Sequence, residues 1–391
     1  EKITLKKVEG TANNPIIWTC TEKNMEVYDL KFEKQFLETS TQFYKTKASS
    51  WHDQFSCYEY VMKITNHLDK ELKNSDAFLQ EQSKEKIKQI VLEECVVAKA
   101  DSLTDKDSGC KFMFNERKIQ QLKDMYDIFR QADSTIKFII QKMNPYIMQE
   151  GEKIVKNEEN LKDPIKYTTK LLQLKEEIDD MIAKAFNNDI RFQKNRDQSF
   201  QDFMNKQDKT PHFIAFYCDN EFKKGFKSLA DHEIEVKLGA IVRLFCCLHG
   251  RDQFISSYSN LLAQRLLNKS TVSDQAEESM INKLQVECGH NTVNKIKTMF
   301  EDMRKSQQVM KDYKEEKKNQ GQTIEFSTEI LTSGHWPYQA AIECKIPPPM
   351  ERAKQTFFQF YQNRFANRTL TWLLGHGNVQ IQTTYLKKNY Q

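Results

Sequence analysis

SDQAEESMINKLQVECG, residues 273–289, carries the punctuation of one bounded helix. Asp274 stands where a cap is expected, Glu277 three residues on completes the spacing of a capping box, and Met280, Ile281 and Leu284 recur at helical spacing for an inward face. Gly289 follows where a helix stop calls for a residue tolerant of positive φ. A segment marked so sharply at both ends predicts a short helix packed within a bundle.

The same periodicity extends to both sides. Val236, Ile241, Leu244, Phe245 and Leu248 form one stripe, and Phe254, Tyr258, Leu261 and Leu262 a second, so the opening stretch reads as the third helix of a group. The polar link MNKQDKTPH (204–212) separates this group from an earlier series of stripes. That series comprises Val27, Leu30, Phe36 and Leu37; Tyr60, Val61, Ile64 and Leu68; Ile87, Ile90 and Val91; then, after the polar turn cluster DSLTDKDSGC (101–110), Ile119, Leu122, Met125, Tyr126 and Phe129, followed by Phe138, Ile139 and Ile140. Asp163 followed by Pro164 is a helix start, and Asn187, Asn188 and Asp189 read as a helix end with a cap for the next turn. Residues 26 to about 205 thus predict a stack of antiparallel helices.

Beyond EEKKNQGQ (315–322) the pattern changes. TIEFSTEIL (323–331) alternates, Pro347, Pro348 and Pro349 end any local element, and FFQFYQNRF (357–365) is aromatic and helical. TLTWLLGHGNVQIQTTY (369–385) contains two β-like runs, Thr369–Leu373 and Val379–Thr383, around Gly375, Gly377 and Asn378, which predicts a terminal hairpin.

Composition agrees with a mainly α chain of more than one domain. There are 391 residues, 29% of them charged, with only 11 Gly and 8 Pro, and the mean hydropathy is −0.73. The 59 Lys and Arg nearly balance 55 Asp and Glu, which argues against a general nucleic-acid binder. No apolar run approaches the roughly 18 residues a membrane helix needs, so neither nucleic acid nor membrane is expected as a partner. Nine cysteines, at 20, 57, 95, 110, 218, 246, 247, 288 and 344, lack CxxC pairs and read as buried, reduced thiols. Cys246, Cys247 and His249 come nearest to a metal cluster, but neighbours on one helical turn point about 100° apart and do not ligate together comfortably. No metal site, no cofactor and no catalytic residue is expected. Cys246 lies in an apolar stripe and Cys218 beside Asp219, which opposes a thiolate nucleophile. The chain begins at Glu1, as a fragment of a longer protein would.

Several long motifs taken together resemble the cullins, scaffolds of RING-type ubiquitin ligases: HFIAFYCDNEFKKG (212–225), NLLAQRLLNKSTVSDQAEESMINKLQVECG (260–289), MFEDM (299–303), LTSGHWP (331–337) and FYQNRFANRTLTWL (360–373), in family order. EVYDLKFEKQFLETSTQFY (26–44) and AFNNDIRF (185–192) are similar to the helical cullin repeats. The resemblance implies an elongated stack of cullin-repeat helices, with an incomplete second repeat at 1–114 and a third at 115–207, then a four-helix bundle at 211–325 and the start of an α/β subdomain with the C-terminal β-hairpin at 326–391. A first repeat holding the substrate adaptor would precede Glu1, and a winged helix bearing a modified lysine would follow Gln391. By the same resemblance the chain is a non-catalytic scaffold, cytoplasmic and nuclear, acting in ubiquitin-dependent protein degradation. Its implied partners are a RING-box protein, a ubiquitin-conjugating enzyme, a substrate adaptor and a cullin exchange factor.

Two sets of site residues follow. Lys223, Lys224 and Lys227 read either as a solvated helix end or, by resemblance, as a basic patch for the acidic tail of the conjugating enzyme, with Arg243 and Arg251 extending it. Leu370, Thr371, Trp372, Leu373, Val379 and Ile381 form the hairpin to which a strand of the RING-box protein would add by β-augmentation. Trp336 reads as a structural anchor. Two other classes compete with the scaffold reading: a cysteine-dependent conjugating enzyme, and a helical adaptor without ligase role, against which the terminal hairpin argues.

Overall fold

The computed structural model describes residues 5–8, 17–20, 28–79, 81–317, 326–338, 345–376, 381–382 and 389–390. The chain divides into two compact units, residues 1–161 with 169–206 and residues 162–168 with 207–391; the division at Gln207 falls inside the polar link.

Unit 1 contains a pair of short antiparallel strands, β1 (Leu5–Val8) and β2 (Ile17–Cys20), with Leu5 opposite Cys20. A π-helical turn, Tyr28–Glu33, leads into α1 (Lys34–Gln54). Glu33 is 6% exposed and is compensated from the side: Ser83 Oγ donates to it at 2.7 Å and Lys86 Nζ at 2.8 Å, while the Tyr28 hydroxyl meets Ser83 Oγ at 3.1 Å. α2 (Cys57–Phe78) starts at a complete capping box, with Ser56 Oγ accepting from the Glu59 N–H and the Glu59 carboxylate accepting from the Ser56 N–H.

α3 (Glu81–Val91) widens into a second π turn at Leu92–Val96 before a 3₁₀ turn at Val97–Lys99. Widening disturbs the carbonyl ladder, and the buried Tyr60 hydroxyl donates to the Cys95 carbonyl at 2.7 Å. Tyr60→Phe keeps the ring and removes the donor, so it should cost about 1–3 kcal/mol. A urea midpoint that does not move would mean that the carbonyl has another partner.

The chain continues through α4 (Ala100–Asp105), α5 (Cys110–Asn115), α6 (Ile119–Phe129), α7 (Ile136–Val155) and α8 (Glu158–Lys162) to α9 (Pro164–Phe186) and α10 (Ile190–Met204). The polar cluster at 101–110 is therefore partly helical rather than a turn throughout, because Leu103 and Thr104 are buried and tertiary packing overrides local composition. Asp163 Oδ1 accepts from the N–H groups of Ile165 and Lys166, as its position before Pro164 leads one to expect. α7 and α10 approach so closely that a Cβ on Gly151 would meet the Phe203 ring at 2.4 Å. Between α9 and α10, Asn187 (φ 49°) and Asn188 (φ 57°) are both left-handed, and Asp189 caps α10 through the Arg191 N–H. Phe186 and Phe192 stack across this corner at 4.0 Å between centroids.

Unit 2 is built from α11 (Thr210–Lys223), α12 (Asp231–Cys246), α13 (Arg251–Leu267), α14 (Asp274–Cys288), α15 (His290–Lys317) and α16 (Pro348–Arg364). Apart from Val236, which is exposed on the outer side of α12, the apolar stripes are largely buried, together with Ile214, Phe222 and Leu238. Ser273, not Asp274, caps α14: its Oγ accepts from the Ala276 N–H at 3.2 Å, and Asp274 is the first helical residue. Glu277 does not reach back to close a box, because it is fully buried and turned inward. Gly289, at φ 80°, ends the helix as expected.

Three expectations for the C-terminal part change. Residues 326–331 form no strand, despite their alternation; side chains of α15 hold them instead. The prolines open an element rather than end one, since Pro347 is the N-cap of α16 and Pro348 its first residue, where a missing N–H costs nothing. Thr369–Leu373 is not a strand either, because Leu370 and Trp372 pack onto the α15–α16 core of Met310, Tyr313, Phe357, Phe360 and Tyr361. Among the described residues of this part, β3 (Ile381–Gln382) pairs with β4 (Asn389–Tyr390), twelve or more residues beyond Thr369. Val27, Cys344, Gly377, Asn378, Val379 and Thr383 lie outside the described residues.

Candidate partner-binding site

At the heart of unit 2 the helices α11, α13 and α14 share one guanidinium. Arg265, 0% exposed, donates from Nε and Nη2 to the two oxygens of Glu277 at 2.8 and 3.0 Å, and from Nη1 to Asp219 Oδ1 at 2.8 Å. The Tyr258 and Thr271 hydroxyls each donate to Glu277 at 3.1 Å, and the guanidinium lies over the Phe222 ring at 4.9 Å. Burial alone would lower the Arg265 pKa, but the charge of Glu277 overcomes it and holds the group above its ordinary value. The other Asp219 oxygen accepts from Lys223 Nζ at 2.8 Å, so two cations and two carboxylates close a balanced network that reaches the surface.

The expected basic patch is therefore divided. Lys223 is partly committed to Asp219, whereas Lys224 and Lys227 are exposed on the turn Gly225–Ser228 and form no ion pair with any other described residue. Nearby, Lys237 Nζ meets Glu221 at 2.6 Å. Arg243 is exposed on α12. Arg251 instead donates to the carbonyls of Cys246 and Leu248, at 2.7 and 3.3 Å, and seals the end of α12.

The second set of residues sits against Met310 and Tyr313 of α15 and the aromatic residues of α16. Leu370 and Trp372 turn toward the aromatic core, Trp372 standing edge-on to Phe326 at 6.3 Å and to Phe357 at 6.1 Å, while Thr371 is exposed and Leu373 half-buried. Trp336 is buried and its Nε1–H donates to Asp302 Oδ2 at 2.9 Å, the anchoring expected of it.

The two thiols weighed as nucleophiles, Cys218 and Cys246, are poorly suited to that role. Burial pushes Cys218 far above the ordinary thiol range, and Arg265 offsets this only in part. Cys246 is pushed up to about 12 by burial and by its hydrogen bond to Glu287. No group of three His, Cys, Asp or Glu among the described residues has metal-holding geometry, and no described helix is long and apolar enough to cross a membrane.

A helical series ending in this bundle and an aromatic C-terminal subdomain define a helical-repeat architecture. Family profiles identify it further: the cullin alpha solenoid domain matches residues 11–310 and the cullin alpha+beta domain residues 330–391. The chain belongs to the cullin family. It is 32% identical over 364 residues to Cullin-3A of Arabidopsis thaliana, an alignment covering 92% of this chain and 50% of the relative. It is 30% identical to Cullin-3 of Dictyostelium discoideum and 30% identical to Cullin-4A of Mus musculus, each over 94% of this chain and 48% of the relative. The chain thus spans about half the length of these curated relatives.

The Arg265 network is what the residue pattern did not reveal. Its one signal was an arginine inside the apolar run LLAQRLL (261–267), at a position that faces inward.

Proposed function

We propose that this chain is part of a non-catalytic scaffold of a RING-type ubiquitin ligase, acting in the cytoplasm and nucleus in ubiquitin-dependent protein degradation. In this reading its C-terminal part holds a RING-box protein and, through it, the ubiquitin-conjugating enzyme. Substrate-receptor machinery is held toward the N-terminal side, and a cullin exchange factor competes for the assembly. The observation that carries the reading is the succession of alpha solenoid and alpha+beta cullin profiles along one chain, 11–310 and then 330–391. Leu370, Thr371, Trp372, Leu373, Val379 and Ile381 are the proposed RING-box contacts. Co-expression with a RING-box protein tests the assignment: a stable one-to-one complex supports it, and separate elution at micromolar concentrations refutes it.

For the acidic tail of the conjugating enzyme, the exposure of Lys224 and Lys227, which pair with no acid among the described residues, supports those two as the receiving cations, with Lys223 partly engaged by Asp219. Exchanging Lys224 and Lys227 for Glu should slow association roughly tenfold at low salt and far less near 0.5 M, where the Debye length is about 4 Å. Stopped-flow association at both ionic strengths decides this, and equal slowing at both refutes steering by these lysines.

A further inference from the structure

Two opposite charges, 16 residues apart in sequence, meet beside the turn that carries Lys224 and Lys227. Glu221, in the last turn of α11, is 6% exposed, and Lys237 of α12 donates from Nζ to its Oε2 at 2.6 Å. The same ammonium stands 5.9 Å from the ring centre of Tyr217 on α11 and 6.0 Å from that of Phe226 on the turn. One cation thus touches both the helix before the turn and the turn itself.

The turn has little else of its own to hold it. Its backbone bonds, from the Lys227 N–H to the Lys224 carbonyl and from the Leu229 N–H to the Phe226 carbonyl, are both 3.3 Å long, beyond the usual N–H···O distance. What grips it are side chains. Phe226, 2% exposed, stands edge-on to Phe222 at 5.2 Å. A Cβ built on Gly225 would run into the Glu221 carboxylate, so the space that a side chain would take at this position is filled by the acid. That carboxylate would also offset the attraction of the exposed lysines for an anion, and Lys237 cancels it locally.

We infer that Glu221 and Lys237 are positioning residues for the basic turn: the pair seats Gly225 and Phe226 against α11 and α12, fixes where Lys224 and Lys227 stand, and neutralises the acid beside them. The inference rests on the acidic-tail reading above. Neither Glu221 nor Lys237 is itself a contact with the acidic chain; each acts through the turn.

The test measures binding of a fluorescent oligoglutamate peptide by anisotropy, at salt concentrations from roughly 50 mM to 0.5 M, and maps tryptic cleavage of the chain without peptide. Glu221→Gln combined with Lys237→Met removes the pair and leaves the net charge unchanged. Gly225→Ala displaces the carboxylate with no change of charge at all, so a loss of affinity in either reports position rather than charge. Each should bind roughly three- to tenfold more weakly at low salt, with a shallower salt dependence, and trypsin should cut faster after Lys224 and Lys227. Lys237→Arg keeps a cation beside both rings and should bind within about twofold of wild type. Should the double variant fail to fold, Gly225→Ala carries the comparison by itself. If exchanging Lys224 and Lys227 for Glu removes binding, wild-type affinity in either charge-neutral variant overturns the inference alone. Undiminished binding after that exchange overturns the basic-turn reading, and the inference with it.

Discussion

Arg265→Ala should lower the stability of unit 2 by about 3–5 kcal/mol, because it strands Asp219 and Glu277 as buried carboxylates without their shared cation. Urea unfolding followed by amide exchange in α11, α13 and α14 is the measurement. Arg265→Lys should recover little: an ammonium supplies no planar fork for the two oxygens of Glu277 and cannot reach Asp219 in the same geometry. Combining Arg265→Met with Asp219→Asn and Glu277→Gln removes charge on both sides, and should cost clearly less than the single alanine change. A loss below about 1 kcal/mol for Arg265→Ala would mean that water or backbone reorganisation satisfies both carboxylates.

The second large effect is on binding. Trp372→Ala should abolish measurable RING-box association at micromolar concentrations while leaving the helical signal of the chain intact. Trp372 is half-buried, packed edge-on against Phe326 and Phe357, so its removal should cost about 2–3 kcal/mol locally, less than the loss from a fully enclosed aromatic. That local cost falls on the segment that the partner would meet, so association should suffer more than global stability. Thr371→Ala, at an exposed position one residue away, separates a direct contact from support through the core. If Trp372→Ala binds as tightly as wild type, residues 370–373 do not form the docking segment.

Helical periodicity carried most of the architecture because each stripe repeats over several turns: Tyr60, Val61, Ile64 and Leu68 are all buried, as are Met280, Ile281 and Leu284. Local chemistry was legible where one residue acts on its own backbone, as with Asp163 before Pro164 and the Asn187–Asn188–Asp189 corner. It misled where two neighbours compete for one role. Ser273 takes the cap that Asp274 equally fits, and Glu277 has box spacing but is recruited by Arg265, twelve residues away in sequence and in contact only after packing. Alternation at 323–331 suggested a strand, yet alternation reports only that one side is buried. Whether hydroxyls or another strand satisfy the backbone depends on Ser306, 24 residues earlier than Ile330. The run Thr369–Leu373 is not a strand for a related reason: Leu370 and Trp372 serve the α15–α16 core, while most of the second run of that hairpin lies outside the described residues. Of the candidate site, the lysines were visible, but their division into one engaged cation and two unpaired among the described residues was not, because Asp219 lies one helical turn back and its other partner is on a different helix.

The corner at Asn187 and Asn188 has a kinetic meaning. Phe186 and Phe192 are only six positions apart, so their stack at 4.0 Å requires a very short loop to close. Closing such a loop takes on the order of 10–100 ns, far less than assembling helices brought together from distant positions. The left-handed pair also biases the unfolded chain toward the turn, since asparagine tolerates that conformation better than other residues with a side chain. The helical hairpin of α9 and α10 is therefore expected to form early, with α7 packing on it through Gly151 and Phe203. Substitutions at Asn187, Asn188 or Phe192 should slow folding, and those at the Glu33–Ser83 clamp should mainly speed unfolding.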